Sequence, residues 1–95
     1  MFAEFLISKK VSLKELAENA KKQGLAHNNT KLFQLSLQIE LRLDSMEGDL
    51  IMREKFTGKK NIVQIIDESL SESYEIIKNN EIIIKRILNK IMSID

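Results

Sequence analysis

The chain has 95 residues, 43% hydrophobic and 31% charged, and its 15 basic and 14 acidic side chains leave a net charge of +1. That composition belongs to a single globular domain spanning residues 1–95, and the near-zero charge excludes a bulk electrostatic pull toward nucleic acid or an anionic membrane. No cysteine is present, which excludes disulfides and thiolate metal sites and agrees with a reducing, cytoplasmic setting.

There is no proline either, so nothing forbids helix anywhere, and Gly24, Gly48 and Gly58 are the main punctuation. The opening run, Phe2 to Ile7, is apolar but too short and acidic for a signal peptide, and a membrane-spanning helix needs about 20 apolar residues. Phe2, Phe5, Leu6 and Ile7 fit one or two apolar turns. Ser12 stands three residues before Glu15, the spacing of a capping box, in which each side chain satisfies the other's free backbone N–H. Leu13, Leu16, Ala17 and Ala20 follow at helical spacing, Lys21 and Lys22 suit a helix C-terminus, and Gly24 is placed to close it as a left-handed cap. A helix over 12–23 is predicted.

Residues 30–45 support two readings. Phe33, Leu35, Leu37, Ile39, Leu41 and Leu43 alternate with polar residues as a half-buried strand does, and a turn at 46–49 could lead into a second strand over 50–57. Yet Leu, Gln, Glu and Arg favour helix and β-branched residues are scarce here. As a helix, Leu32, Leu35, Ile39, Leu43, Met46 and Leu50 share one face, while Phe33, Leu37 and Leu41 make a second stripe. We favour this helix, capped by Asn29 or Thr30, ending near Gly48 and sandwiched between two layers.

The last third is the most strongly patterned, with eleven isoleucines in residues 60–95. Val63, Leu70, Ile77, Ile84 and Ile91 recur at every seventh position, the period of a coiled-coil seam. Asn61, three residues before Gln64, is an expected N-cap, and acids gather in the first half with bases in the second, as the helix dipole favours. A continuous helix over 61–94 would run roughly 50 Å at 1.5 Å per residue, whereas a compact domain of about 100 residues has a radius of gyration near 13 Å. Either it breaks at Asn79-Asn80, or it projects and pairs with another chain. In the companion row of Ile66, Ser73, Asn80, Ile87 and Ile94, a buried Asn80 would set the register at some expense of stability.

The fold expected is therefore all-α, a bundle of three to four helices with a long amphipathic C-terminal helix able to dimerise. The alternative is an α+β winged helix with a hairpin over 35–57. For the bundle, the interaction surface comprises Leu37, Leu41, Leu70, Ile77, Ile84, Ile87, Ile91 and Ile94, and the partner is a second copy or another protein, with no membrane and no small-molecule substrate.

Catalytic and metal chemistry are not indicated. His27 is a lone histidine in a polar loop, no serine carries a nucleophile motif, and the glycines are too isolated to cradle a phosphate. No cofactor is expected. The protein is expected to be a non-enzymatic regulatory module. The densest basic group, Arg53, Lys55, Lys59 and Lys60 around Phe56, reads first as a solvated loop and second as a phosphate-contacting patch.

One resemblance gives that second reading a frame. The segment from Val11 to Ala17 resembles the opening of the second helix in winged helix-turn-helix regulators, with Gly24-Leu25 in the turn and 29–46 as the recognition helix. The run through Leu35, Ile39, Met46, Gly48, Leu50 and Ile51 is similar to the stretch leading into the wing, which would be 50–57. The resemblance implies DNA binding by Asn28, Asn29, Lys31, Gln34 and Gln38 at the groove and Arg53, Lys55, Lys59 and Lys60 at the backbone, with the last helix as a dimerisation helix. Leu37 and Leu41 depart from it, since leucine reads base edges poorly. Gly24-Leu25 followed by residues 32–37 is also similar to helical-hairpin regulators that include the sporulation aspartyl-phosphate phosphatases. Their Ser-Gln-Glu-Leu-Asp signature is not reproduced by residues 36–40, so no catalytic role carries over.

Overall fold

The computed structural model describes residues 2–94, the side chain of Ile94 excepted. It is three helices in up-down-up order: α1 (Phe2–Ala26), α2 (Thr30–Lys55) and α3 (Lys60–Ile94). Among the described residues there is no strand, so the alternating pattern of 33–43 is helical and residues 50–57 form no wing. The scarcity of β-branched residues outweighed the alternation. The winged-helix resemblance fails at this point.

Several boundaries differ from those expected, for physical reasons. Ser12 lies inside α1, where its hydroxyl donates to the Lys9 carbonyl at 3.1 Å instead of capping a new helix. Nothing at Lys9-Lys10 interrupts the chain, so the apolar opening and the 12–23 segment fuse into one helix of 25 residues. Gly24 is helical and buried, and the left-handed residue is Asn28, at φ 51°. The Asn29 N–H donates to the Gly24 carbonyl at 2.8 Å and the Asn28 N–H to the Leu25 carbonyl at 3.4 Å, the two bonds of a Schellman ending. Asn29 then caps α2 by accepting from the Leu32 N–H at 3.0 Å, as expected. One dipeptide closes one helix and opens the next.

Gly24 explains how tightly that corner is drawn. A Cβ there would stand 3.0 Å from the Phe33 backbone nitrogen and 3.1 Å from the Asn29 carbonyl oxygen. Gly48, by contrast, is an exposed mid-helix residue, and α2 continues past it to Lys55. The second turn uses Gly58 at φ +95°, and α3 begins at Lys60, which places Asn61 inside the first turn and not at the cap.

Helices α1 and α3 each run antiparallel along α2 and touch one another much less. Lys10 pairs with Glu47 and Lys21 with Glu40 on one side, while Arg53 with Asp67 and Asn80 with Gln38 fix the other. Lys21 Nζ stands 2.9 Å from the enclosed Glu40 Oε1, off hydrogen-bond alignment, so what it supplies is a balancing charge. The core runs the length of the bundle through Leu13, Ala17 and Ala20 of α1, Leu32, Ile39, Leu43 and Met46 of α2, and Leu70, Ile77 and Ile84 of α3. Ala17, Ala20 and Gly24 let α1 lie close to its neighbour. At one end Phe2 and Phe5 meet the Tyr74 ring edge-on, with centroids 5.7 and 4.8 Å away.

The long helix neither breaks at Asn79-Asn80 nor projects alone. It spans 35 residues without interruption, and α1 and α2 are themselves long enough to flank most of it. The bundle is accordingly elongated, 55 × 22 × 16 Å with a radius of gyration of 15.4 Å. The middle of the heptad row, Leu70, Ile77 and Ile84, is buried inside its own chain, with Val63 and Ile91 half-buried at its ends.

Candidate interaction surface

The residues expected to form an interaction surface divide into two groups. Leu70, Ile77 and Ile84 are fully buried, packed within the bundle, so they offer nothing to a partner of the intact fold. Ile87 and Ile91 are half-buried against the same core, and the side chain of Ile94 lies outside the described residues. Leu37 and Leu41 are different: they are 36% and 67% exposed.

The reason lies in where the neighbours of α2 sit. Its buried residues, Leu32, Ser36, Ile39, Leu43 and Met46, form one stripe. The α1 partners (Glu40, Glu47) and the α3 partners (Gln38, Asp49, Arg53) flank that stripe on either side. Positions 37 and 41, at about 100° per residue, fall opposite it. The expected sandwich is therefore half built, with both neighbours on the same side and the back of α2 uncovered.

Two residues that the sequence reading had not assigned to the surface belong here. Ile51 and Met52 are 58% and 46% exposed and follow Leu41 and Gly48 at helical spacing. Continuing the pattern past Gly48 would have found them, but a glycine read as a helix end hid it. Ile7 and Val11 of α1 add exposed apolar area, and Ile51 shares a groove with Ala3, one turn before Ile7.

The candidate nucleic-acid contacts do not converge. Asn28 and Asn29 are turn and cap, and Lys31, Gln34 and Gln38 lie on the first turns of α2. Arg53 and Lys55 close the same helix, with Lys59 and Lys60 beyond the turn. Even the nearest members of the two groups, Gln38 and Arg53, are therefore separated along α2 by roughly 22 Å at 1.5 Å per residue. Asn29 and Gln38 are already engaged, by the Leu32 N–H and by the Asn80 side chain at 2.9 Å.

Arg53 is engaged as well. Its Nε donates to Asp67 Oδ1 at 2.7 Å and its Nη2 to Oδ2 at 3.4 Å, a fork that ties α2 to α3. The hydrogen bond from Arg53 holds the Asp67 carboxyl below its ordinary range, desolvation opposing and the opposite charge assisting. The same bond raises the guanidinium further above its usual value. A groove nearby is lined by Phe2, Leu50, Arg53, Asp67 and Leu70, mostly apolar with this single ion pair.

His27 is exposed in the first turn. Among the described residues no group of three or more His, Cys, Asp or Glu could hold a metal ion, and no helix is long and apolar enough to cross a membrane. No known protein family, curated protein or solved structure matches this chain.

Proposed function

We propose that this protein is a small non-enzymatic regulatory module that works through protein–protein contact, as a helical dimer in the cytoplasm. The observation that supports it is the bare back of α2, where Leu37, Leu41, Ile51 and Met52 stand exposed on a helix whose other face is fully engaged. Single exposed apolar residues are ordinary on a small protein; a row of them at helical spacing on an otherwise packed helix is a contact surface waiting for a partner. The near-neutral chain adds no repulsion between copies.

Function in this reading is occupancy. One face holds a partner, and Lys, Glu and Gln around it set which partner fits. Sedimentation velocity over a wide concentration range tests it. A dimer that dissociates on Leu41→Asp, with helix content unchanged by circular dichroism, is the expected result. A wild-type chain that stays monomeric at every concentration reached would defeat the reading.

A further inference from the structure

We propose that the occupant of the back of α2 is the back of α2 in a second copy, packed antiparallel about a twofold axis that passes between Asp44 and Ser45. This rests on the dimer reading above and specifies its interface. The stripe contains Leu37, Leu41, Gly48 and Met52, all exposed. Residues 37 and 52 are equidistant from the point between 44 and 45, and so are 41 and 48. Inverting a copy about that point therefore sets each Leu41 against Gly48 of the partner subunit and each Leu37 against Met52 of the partner subunit.

The shapes agree with that register. Gly48 is a notch: a Cβ built there would meet nothing within 4 Å. A glycine in the interior of an exposed helix weakens it relative to alanine, and no turn or close approach within the monomer requires one here. A leucine knob entering from an inverted copy does require it. Leu41, 67% exposed, is that knob. The axis also lies within two residues of the middle of α2 (Thr30–Lys55), so the inverted helices overlap along almost their whole length and the contact closes on itself.

Size fits as well, and charge sets one local opposition. The axis brings the two Asp44 residues toward each other, each in a recess shared with Lys14, Glu18 and Glu40, so like charge opposes the contact at this one point and the apolar register has to outweigh it. A standard interface buries about 800 Å² per partner, and the bundle, 55 Å long and 22 Å broad, has the room for it. Among the described residues, the exposed apolar side chains of α3 offer no comparable row, since Ile65, Ile82 and Met92 lie far apart along it.

The absence of cysteine makes the register directly testable. Single-cysteine variants Ser45→Cys, beside the axis, and Ser71→Cys, on α3, are treated with a short bis-maleimide, and sedimentation is run on Leu41→Asp and on Gly48→Gln, which fills the notch with a good helix former. Ser45→Cys is expected to give a covalent dimer and Ser71→Cys none, while each of the other two raises the dimer dissociation constant about tenfold or more, the effect of losing one buried anchor. A dimer that ignores Gly48→Gln and fails to cross-link at 45 overturns this interface and leaves the dimer reading standing. A chain that never dimerises overturns both.

Discussion

Two glycines in the same protein should respond to the same substitution with opposite sign. At Gly24 a methyl would enter a space bounded by the Phe33 backbone nitrogen at 3.0 Å and the Asn29 carbonyl at 3.1 Å. Those are main-chain atoms of the α1–α2 corner, held by the Schellman bonds and the Asn29 cap, and they cannot swing aside as a side chain would. Overpacking typically costs about 1–3 kcal/mol, against a helix-propensity gain of up to about 1 kcal/mol, so Gly24→Ala is expected to destabilise. At Gly48 nothing opposes the methyl, and Gly48→Ala should raise the stability of the dilute monomer by about 0.5–1 kcal/mol. Urea titrations with unchanged slopes would measure both, and equal signs would show that the corner is less tightly drawn than described.

Between the helices, polar residues set alignment more than they set strength. Asn80 is 7% exposed in the middle of the α3 core stripe and donates to Gln38 Oε1 at 2.9 Å. Gln38 is itself exposed and can turn to water, so Asn80→Leu leaves no orphaned group and should stabilise the bundle, by about 1 kcal/mol. Clear destabilisation in a denaturant titration would mean that the polar pair contributes strength as well as register. The Arg53–Asp67 fork acts at the end of the same helix pair, and its carboxyl is depressed by the guanidinium bond. A depressed folded-state value means the contribution is present above the ordinary aspartate range and fades as pH falls through the folded value. Wild type and Asp67→Asn should therefore differ slightly near neutrality and converge in acid, as thermal melts at the two pH values would show; a gap that widens in acid would contradict this. These particulars also mark what the sequence could reveal. The apolar spacing of 32–50 and of the 63–91 heptads identified two helices and their inward faces, because burial imposes that period. Asn29 was recognisable as a cap, because its chemistry is local. The fusion of 2–11 with 12–23 was hidden, since Ser12 has the same spacing to Glu15 whether it caps a helix or sits inside one. Gly24 and Gly48 misled in the same way, one being a close-approach residue and the other an exposed mid-helix position. Whether the heptad row met its own chain or another could not be read, because helix periodicity does not name the partner helix.

For the molecule as a whole, topology and composition together constrain how it reaches its folded form. Each helix packs mainly on the one next to it in sequence, across the turns at 27–29 and 56–59, and α1 touches α3 far less. Contacts of that kind close short loops, and helical bundles built from them fold in about microseconds to milliseconds. The chain contains no proline, so no prolyl isomerisation can add a phase of roughly tens of seconds. It contains no cysteine, so disulfide exchange can add none either. Any slow phase must then come from a second molecule. Stopped-flow refolding, followed by a probe of helix content and a probe of assembly, should show a fast step independent of protein concentration. It should also show a slower step whose rate rises with concentration and which Leu41→Asp abolishes. Slow refolding that persists unchanged on dilution would require a barrier inside the single chain, and neither its composition nor its neighbour-by-neighbour packing supplies one.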